Sequence, residues 1–420
     1  MSKNNNNFKK TKHACYYTYL AMSSVFSLPP LLFITFREMY GISYTLLGTL
    51  VLINFCCQLS IDLIFTFFAK HFNIRTTVKV MPLLTTVGLL IYAITPTLFP
   101  QHADIGLVCG TVIFSFASGL CEVLLSPTIA ALPSDNPERD MSVLHSLYGY
   151  GLVTVIIVST AFLKIFGTQN WMVLTIFWAL LPIVSFILFC TCPLPDMNLS
   201  QSEGARTSKG KNFGLALCAV CIFLGSATEN TMTNWISGYM ETALKIPKVV
   251  GDILGMAVFA VLLAVTRTLY AKYGKNIAKF LLISMIGAAA CYLAAGLSPI
   301  PIVSMLACVL TGIFTSMLWP GTLILMEEKY PNSGVTAYAI MAAGGDLGAS
   351  IAPQMMGIVV DKVSESSWAD GLAKTLSLSP EQVGMKVGML TAMLFPILGA
   401  ALLIYMINYF KKQKHAAGTK

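Results

Sequence analysis

The chain has 420 residues, of which 56 % are hydrophobic and only 11 % charged. Soluble domains carry about a quarter charged residues, so this composition cannot cover a water-facing surface and places the chain in a bilayer. The net charge of +8 does not point to nucleic acid, because the basic residues sit in short segments between apolar runs, which reads as membrane orientation.

Residues 1–13 are polar and basic and precede an apolar segment, as in a secretory signal. That segment is long, lacks a small-residue cleavage site and is followed by many more spans, so a retained first helix is expected. At about 20 residues per membrane crossing, the chain has room for twelve helices. They are expected near 14–36, 45–69, 77–99, 105–131, 142–166 and 170–192, then near 213–239, 249–271, 277–297, 301–326, 334–360 and 384–409. The Ser-, Gly- and charge-rich stretch from Pro193 to Asn212 divides an N-terminal six-helix half (1–192) from a C-terminal one (213–420), with 193–212 as a cytoplasmic linker. A second long loop is expected from Asp361 to Met385. With the N-terminus inside, the inner segments hold most of the 27 Lys and Arg residues, Arg206, Arg267 and Lys272 among them. This bias fits an even span count and cytoplasmic termini.

Helical spacing shows where the polar groups inside these spans face. In the second span Asn54, Gln58 and Asp62 recur at i, i+4 and i+8, one stripe on one face. The fourth span carries Ser115, Ser118, Glu122 and Ser126. The seventh holds Ser226, Glu229, Asn230, Thr233, Asn234 and Ser237, and the eleventh repeats the second span's pattern with Asp346, Ser350 and Gln354. A carboxylate in hydrocarbon costs several kcal/mol, so such groups face a cavity, a partner or a task. Glu122 is the foremost candidate for proton exchange. Asp62 and Asp346 come next, at matching depth in their stripes, where two approaching carboxylates would raise one proton affinity. Structural hydrogen bonding between helices is the alternative reading of these stripes. His145, near the start of the fifth span, is a candidate relay but equally a packing residue. Trp235 and Trp319 lie on spans with polar stripes, an arrangement suited to a sugar's apolar faces and polar edges.

The frame Gly119…Pro127 around Glu122 returns as Gly312…Pro320 in the second half, where Thr315 takes the place of the acid. An echo of this kind points to a duplicated architecture with its site between repeats. Pro29, Pro30, Pro127, Pro320 and Pro353 each remove a backbone donor within a span, which is tolerated where helices line a cavity or bend. The eleven cysteines are scattered without metal-ligand spacing. There is no Gly-rich phosphate loop and no nucleophile elbow. No catalytic residue, metal or cofactor is therefore expected, and direct ATP coupling within the chain is not either.

Six plus six spans around a basic middle loop resemble the major facilitator superfamily. That family's loop signature between the second and third spans corresponds here to Thr66–Arg75, which has neither the acid nor the glycines; the second-half counterpart keeps Lys272, Gly274 and Lys275. Within the superfamily the chain resembles the fucose permease branch of sugar:proton symporters. The resemblance rests on Glu229, Trp235 and Tyr239 in the seventh span and on Leu144-His145-Ser-Leu-Tyr148-Gly149-Tyr-Gly151 in the fifth. Gly345, Gly348, Pro353, Gly357 and Asp361 in the eleventh, and the carboxylate Glu122 in the fourth, complete it. The branch's first-span aspartate has no counterpart in 14–36. The resemblance implies an all-α membrane protein of two pseudo-symmetric six-helix halves, monomeric, in the cytoplasmic membrane. It would move a small polar solute, a sugar or similar metabolite, by alternating access with proton coupling. Glu122, Asp62 and Asp346 would serve the proton, and Glu229, Asn230, Asn234, Trp235, Trp319, His145 and Tyr148 the solute. Two alternatives share the fold: a proton-driven exporter of drugs or metabolites, and a membrane sensor that binds without transporting.

Overall fold

The computed structural model describes residues 8–68, 71–134, 137–195, 209–330 and 335–418. Among these the secondary structure is helical, without strands. The chain forms two compact units, Met1–Ile42 with Ile53–Ser200, and Ser43–Leu52 with Gln201–Lys420.

The first unit contains α1 (Lys9–Tyr40), most of α2 (Tyr44–Phe68), α3 (Ile74–Leu98), α4 (Ala103–Ala130), α5 (Pro137–Phe166) and α6 (Trp171–Thr191). α1 is the most buried of them and runs unbroken through Pro29 and Pro30. It ends at Gly41, whose φ of 66° is open to glycine and whose N–H caps the carbonyl of Arg37. α3 and α4 approach closely along glycines: a Cβ on Gly110 would lie 2.6 Å from that of Tyr92, and one on Gly88 would lie 2.5 Å from the backbone N of Phe114. Phe36, Tyr92 and Trp171 meet edge to face beside this contact.

The second unit contains the first turns of α2, then α7 (Lys209–Thr242), a π-helical segment (Gly251–Ala257) leading into α8 (Val258–Tyr273), and α9 (Ile277–Leu297). α10 (Pro301–Thr315), α11 (Leu318–Lys329), α12 (Val335–Ser364), α13 (Ser367–Leu376), α14 (Pro380–Ala392) and α15 (Leu394–Gly418) follow. Its core joins Leu318, Leu281, Met341, Leu403 and Met406.

Eleven helices among the described residues are long and apolar enough to cross a membrane. α12 is not one of them although it has 30 residues. Its glycines, Asp346 and Gln354 lower its hydropathy, as expected of a helix that faces protein.

Three features differ from the sequence expectation. The stretch Asp361–Met385 is not a loop: α12 continues to Ser364, α13 follows, and Ser379 opens α14 with a capping box to Gln382. α13 buries Ala369 and Ala373 against Val383, a short amphipathic pattern masked by Ser, Asp and Lys. The tenth span is not continuous: it breaks at Ser316–Met317 into α10 and α11. α7 begins at Lys209, so the end of the expected linker is helical; residues 196–208 lie outside the described part. Residues 69–70 of the Thr66–Arg75 stretch lie outside it too.

Candidate functional site

In the first unit, the stripes of α2 and α4 meet. Ser115 Oγ donates to Asn54 Oδ1 at 2.7 Å, and Gln58 Nε2 donates to the same oxygen at 3.2 Å. All three residues are buried. Close approach of the helices permits this, because a Cβ on Gly119 would sit 3.1 Å from the Cα of Gln58. These amides thus satisfy one another, the structural reading of that part of the stripe. Asp62, one turn further along α2, is half-buried.

Glu122 is different. Its side chain is exposed, unlike the packed amides of the neighbouring stripe. Tyr19 of α1 lies beside it, with its hydroxyl on Ser126 and its ring 6.1 Å from that of Tyr148 on α5. Phe26, two turns on from Tyr19, meets Tyr148 edge to face at 5.4 Å. Among the described residues no cation pairs with Glu122. Tyr148 thus lies against Tyr19 and Phe26, neither of which the sequence marked. Their i, i+7 spacing on a span without acids was the only signal. His145 lies on α5, but its side chain is outside the described part.

In the second unit, the central finding is an ion pair. Arg267 Nη2 lies 3.0 Å from Glu229 Oε1. Arg267 Nε donates at 2.7 Å to the carbonyl of Ser316. Ser316 stands four residues before Pro320, which has no N–H to give it. The guanidinium thus fills the backbone vacancy where α10 breaks from α11, and holds Glu229 at the same time. Arg267 was expected in an inner segment; it lies three residues before the end of Lys248–Tyr270, a helical stretch long and apolar enough to cross a membrane. A cation at position 267 of an apolar run was itself the signal that should have marked it.

Along α7 the polar groups first serve their own helix. Asn230 Nδ2 donates to the carbonyl of Ser226, Asn234 Nδ2 to that of Asn230, and Thr233 Oγ1 to that of Glu229. Trp235 is fully buried; its ring lies 5.9 Å from Tyr44, and its Nε1 donates to the carbonyl of Pro353 at 3.0 Å. In this conformation its surface is committed to packing. Trp319, the second residue of α11, lays its indole nitrogen edge over Gly345, where a Cβ would come within 2.4 Å. Asp346 is the next residue and is half-buried. A second acidic cluster was missed: Asp252, fully buried in the π-helical segment, accepts from Ser237 Oγ at 2.5 Å and lies 3.6 Å from Lys248, which is also 3.6 Å from Glu241. No group of His, Cys, Asp and Glu among the described residues could hold a metal ion.

The family model of the Major Facilitator Superfamily matches residues 15–353. The chain belongs to that superfamily. No curated protein matches the sequence. Among solved structures, the chain is similar to a bacterial homolog of the human lysosomal transporter Spinster, with TM-score 0.74 and 15 % identity over 98 % of this chain and 99 % of that one. It is also similar to a D-xylose–proton symporter (TM-score 0.73, 14 % identity, 93 % and 97 % covered). The E. coli fucose:proton symporter matches at TM-score 0.55 and 10 % identity, covering 94 % of this chain and 99 % of that one. These identities speak for the fold: an all-α membrane transporter of the major facilitator type.

Proposed function

We propose that this superfamily member is a proton-coupled carrier of a small polar solute, a sugar or sugar-like metabolite, working by alternating access in the cytoplasmic membrane with both termini inside. The observation that carries the reading is Glu122: an exposed carboxylate within a membrane-length apolar helix, flanked by the hydroxyls of Tyr19 and Ser126 and paired with no cation among the described residues. An ionisable group within a membrane span is placed for function, and an exposed carboxyl there can exchange a proton. Two of the similar structures, those titled as a D-xylose–proton and a fucose:proton symporter, agree in chemistry. In this reading Glu122 exchanges the proton, and Asp62 and Asp346 tune the conformational step. Tyr148, His145, Glu229, Asn230, Asn234 and Trp319 contact the solute, with Trp235 holding α7 against α12.

The test is uptake of a radiolabelled sugar panel into proteoliposomes with and without an inward proton gradient. Gradient-driven accumulation is expected in the unaltered protein. Glu122→Gln should retain exchange of solute across the membrane and lose accumulation. Uptake indifferent to the gradient, with Glu122→Gln fully active, would sink the coupling claim.

A further inference from the structure

The Arg267–Glu229 pair is built in an unusual way for a purely structural salt bridge. Arginine carries five N–H donors and remains protonated in proteins. Two of them are engaged, Nε–H with Ser316 and one on Nη2 with Glu229. Arg267 makes no other hydrogen bond among the described residues, so one edge of the fork is unused. The side chain is 41 % exposed, within a span where the surroundings cannot supply an anion from lipid tails. On the other side, Glu229 is held by one oxygen only. Its Oε2 is buried without a hydrogen-bond partner. A structural Arg–carboxylate pair gains most from two parallel hydrogen bonds; this one leaves capacity unused on both partners.

Neighbouring charges do not account for the surplus. Of the charged groups on elements packed against α7 (Asp346, Asp361 and Lys362 on α12, Glu327, Glu328 and Lys329 on α11, Glu381 and Lys386 on α14, Lys411 and Lys412 on α15, Asp252 in the π-helical segment and Lys248 just before it), none pairs with Glu229. Arg267 is the charged group that faces it. The backbone anchor from Nε to Ser316 fixes the fork's orientation whether or not Glu229 is present, which leaves the Nη edge preorganised for a carboxylate.

We propose that Arg267 is the receptor for a carboxylate group on the solute, so that the transported substrate is a small organic acid, and that Glu229 takes up a proton when the solute replaces it. The inference rests on the transport reading above and, within its small polar solutes, replaces the neutral sugar with a carboxylate-bearing solute, a sugar acid or another small organic acid. The balance is simple. Solute carboxylate binds to the Nη edge of Arg267, the Glu229 carboxylate leaves it, and one proton from the medium neutralises Glu229. No covalent bond changes, and the occupied site carries the same net charge as the empty one. Two carboxylates beside one guanidinium repel, so the displaced one takes the proton. A neutral sugar could not displace Glu229, because it offers no charge to replace the one Arg267 would lose.

Thermal stabilisation of the purified full-length protein by matched acid and neutral compounds tests this directly. Glucuronate is set against glucose, gluconate against sorbitol, and lactate against propane-1,2-diol. At least one carboxylate is expected to raise the unfolding temperature while its neutral partner does not. R267Q should weaken the apparent affinity about thirtyfold, as loss of one partner of a hydrogen-bonded charge pair does. R267K, which keeps the charge and loses the fork, guards against misfolding as the explanation and should retain part of the binding. E229Q should bind the acid without the strengthening at lower pH that the unaltered protein shows. A panel in which no carboxylate stabilises the protein, or in which R267Q responds equally, overturns the proposal. Gradient-driven uptake of a neutral sugar that survives R267Q overturns it too and leaves the transport reading standing. A carboxylate that binds through Arg267 and is never taken up into proteoliposomes leaves the anion site standing and overturns the transport reading instead.

Discussion

Arg267 Nε donates to the carbonyl of Ser316 at 2.7 Å, the oxygen that Pro320 leaves without its helical donor. A side chain thus completes the backbone hydrogen bonding of a broken helix, and the break holds the side chain in place against Glu229. The proline and the ion pair are one device. Inside a bilayer an unsatisfied carbonyl costs several kcal/mol, so the sequence can carry Pro320 at mid-span because Arg267 reaches it.

The energetic coupling of Glu229 and Arg267 follows from that geometry. Removing either partner leaves the other charged and partly buried, which destabilises more than removing both. Glu229→Gln and Arg267→Gln should each lower the unfolding temperature, and the double variant should fall short of their sum by about 0.5–3 kcal/mol. A double-mutant cycle on purified protein measures this. Additive losses would mean that the pair contributes nothing beyond its separate contacts.

Asp140 provides a pH-dependent tie at the start of α5. It pairs with Lys12, accepts from Ser134 Oγ at 2.7 Å and from Tyr16 at 3.3 Å. Burial opposes its charge, but the hydrogen bonds from Lys12, Ser134 and Tyr16 and the Lys12 charge outweigh it and hold the carboxyl below its ordinary value. A carboxylate with a depressed folded value stabilises above its unfolded pKa of about 3.9 and loses that contribution as pH falls through the lower folded value. Asp140→Asn should therefore destabilise the protein by about 1–3 kcal/mol at neutral pH. The gap to the unaltered protein should stay constant from pH 7 to pH 5 and close only in stronger acid. Unfolding temperatures across that range check it, and a gap that closed near pH 6 would contradict the assignment.

The fold was legible because its signals are additive over long segments. Apolar runs of about 20 residues and their basic flanks survive local irregularities, so the six-plus-six count emerges from composition. The site was legible only where a polar residue interrupts such a run. Glu122 and Glu229 stood out for that reason. Arg267 interrupts a run just as clearly, but it lies close to Lys272 and Lys275 and was absorbed into their loop. Tyr19 carries no contrast with its apolar neighbours, and what brings it to Glu122 is packing of α1 on α4, which no local pattern encodes. The stretch Asp361–Met385 was misread for the opposite reason. Its helices are short and polar, and their buried residues are alanines and valines too few to set a period.

Asp361, the first residue of that stretch, anchors the start of α2. Its two carboxylate oxygens accept from the backbone N–H groups of Tyr44 and Thr45 at 3.1 Å and 2.6 Å. These donors belong to the first turn of a helix and have no partner within it. The carboxylate also lies at the positive end of the helix dipole. Asp361→Ala should cost about 0.5–2 kcal/mol, and Asp361→Asn should cost less, since it keeps an acceptor and loses the charge. Hydrogen exchange at Tyr44 and Thr45 should rise in both variants in the same order. Unchanged exchange in Asp361→Ala would show that the first turn is held by something else.

Glycine substitutions separate close helix contact from conformational freedom. Gly348 on α12 faces α7 so closely that a Cβ would lie 2.1 Å from the carbonyl oxygen of Phe223 and 3.0 Å from the backbone N of Ala227. Both are backbone atoms and cannot rotate away, so the helices must part. Gly348→Ala should cost about 1–3 kcal/mol or more, the range for overpacking. Gly149 on α5 is the matched control, because a Cβ there meets nothing within 4 Å. Its replacement by alanine should stabilise the helix by about 0.5–1 kcal/mol through lost freedom of the unfolded chain. Unfolding temperatures should thus move in opposite directions for the same chemical change. If both variants fell together, the loss at Gly348 would reflect a general cost of side chains on these helices and not the approach of α7 to α12.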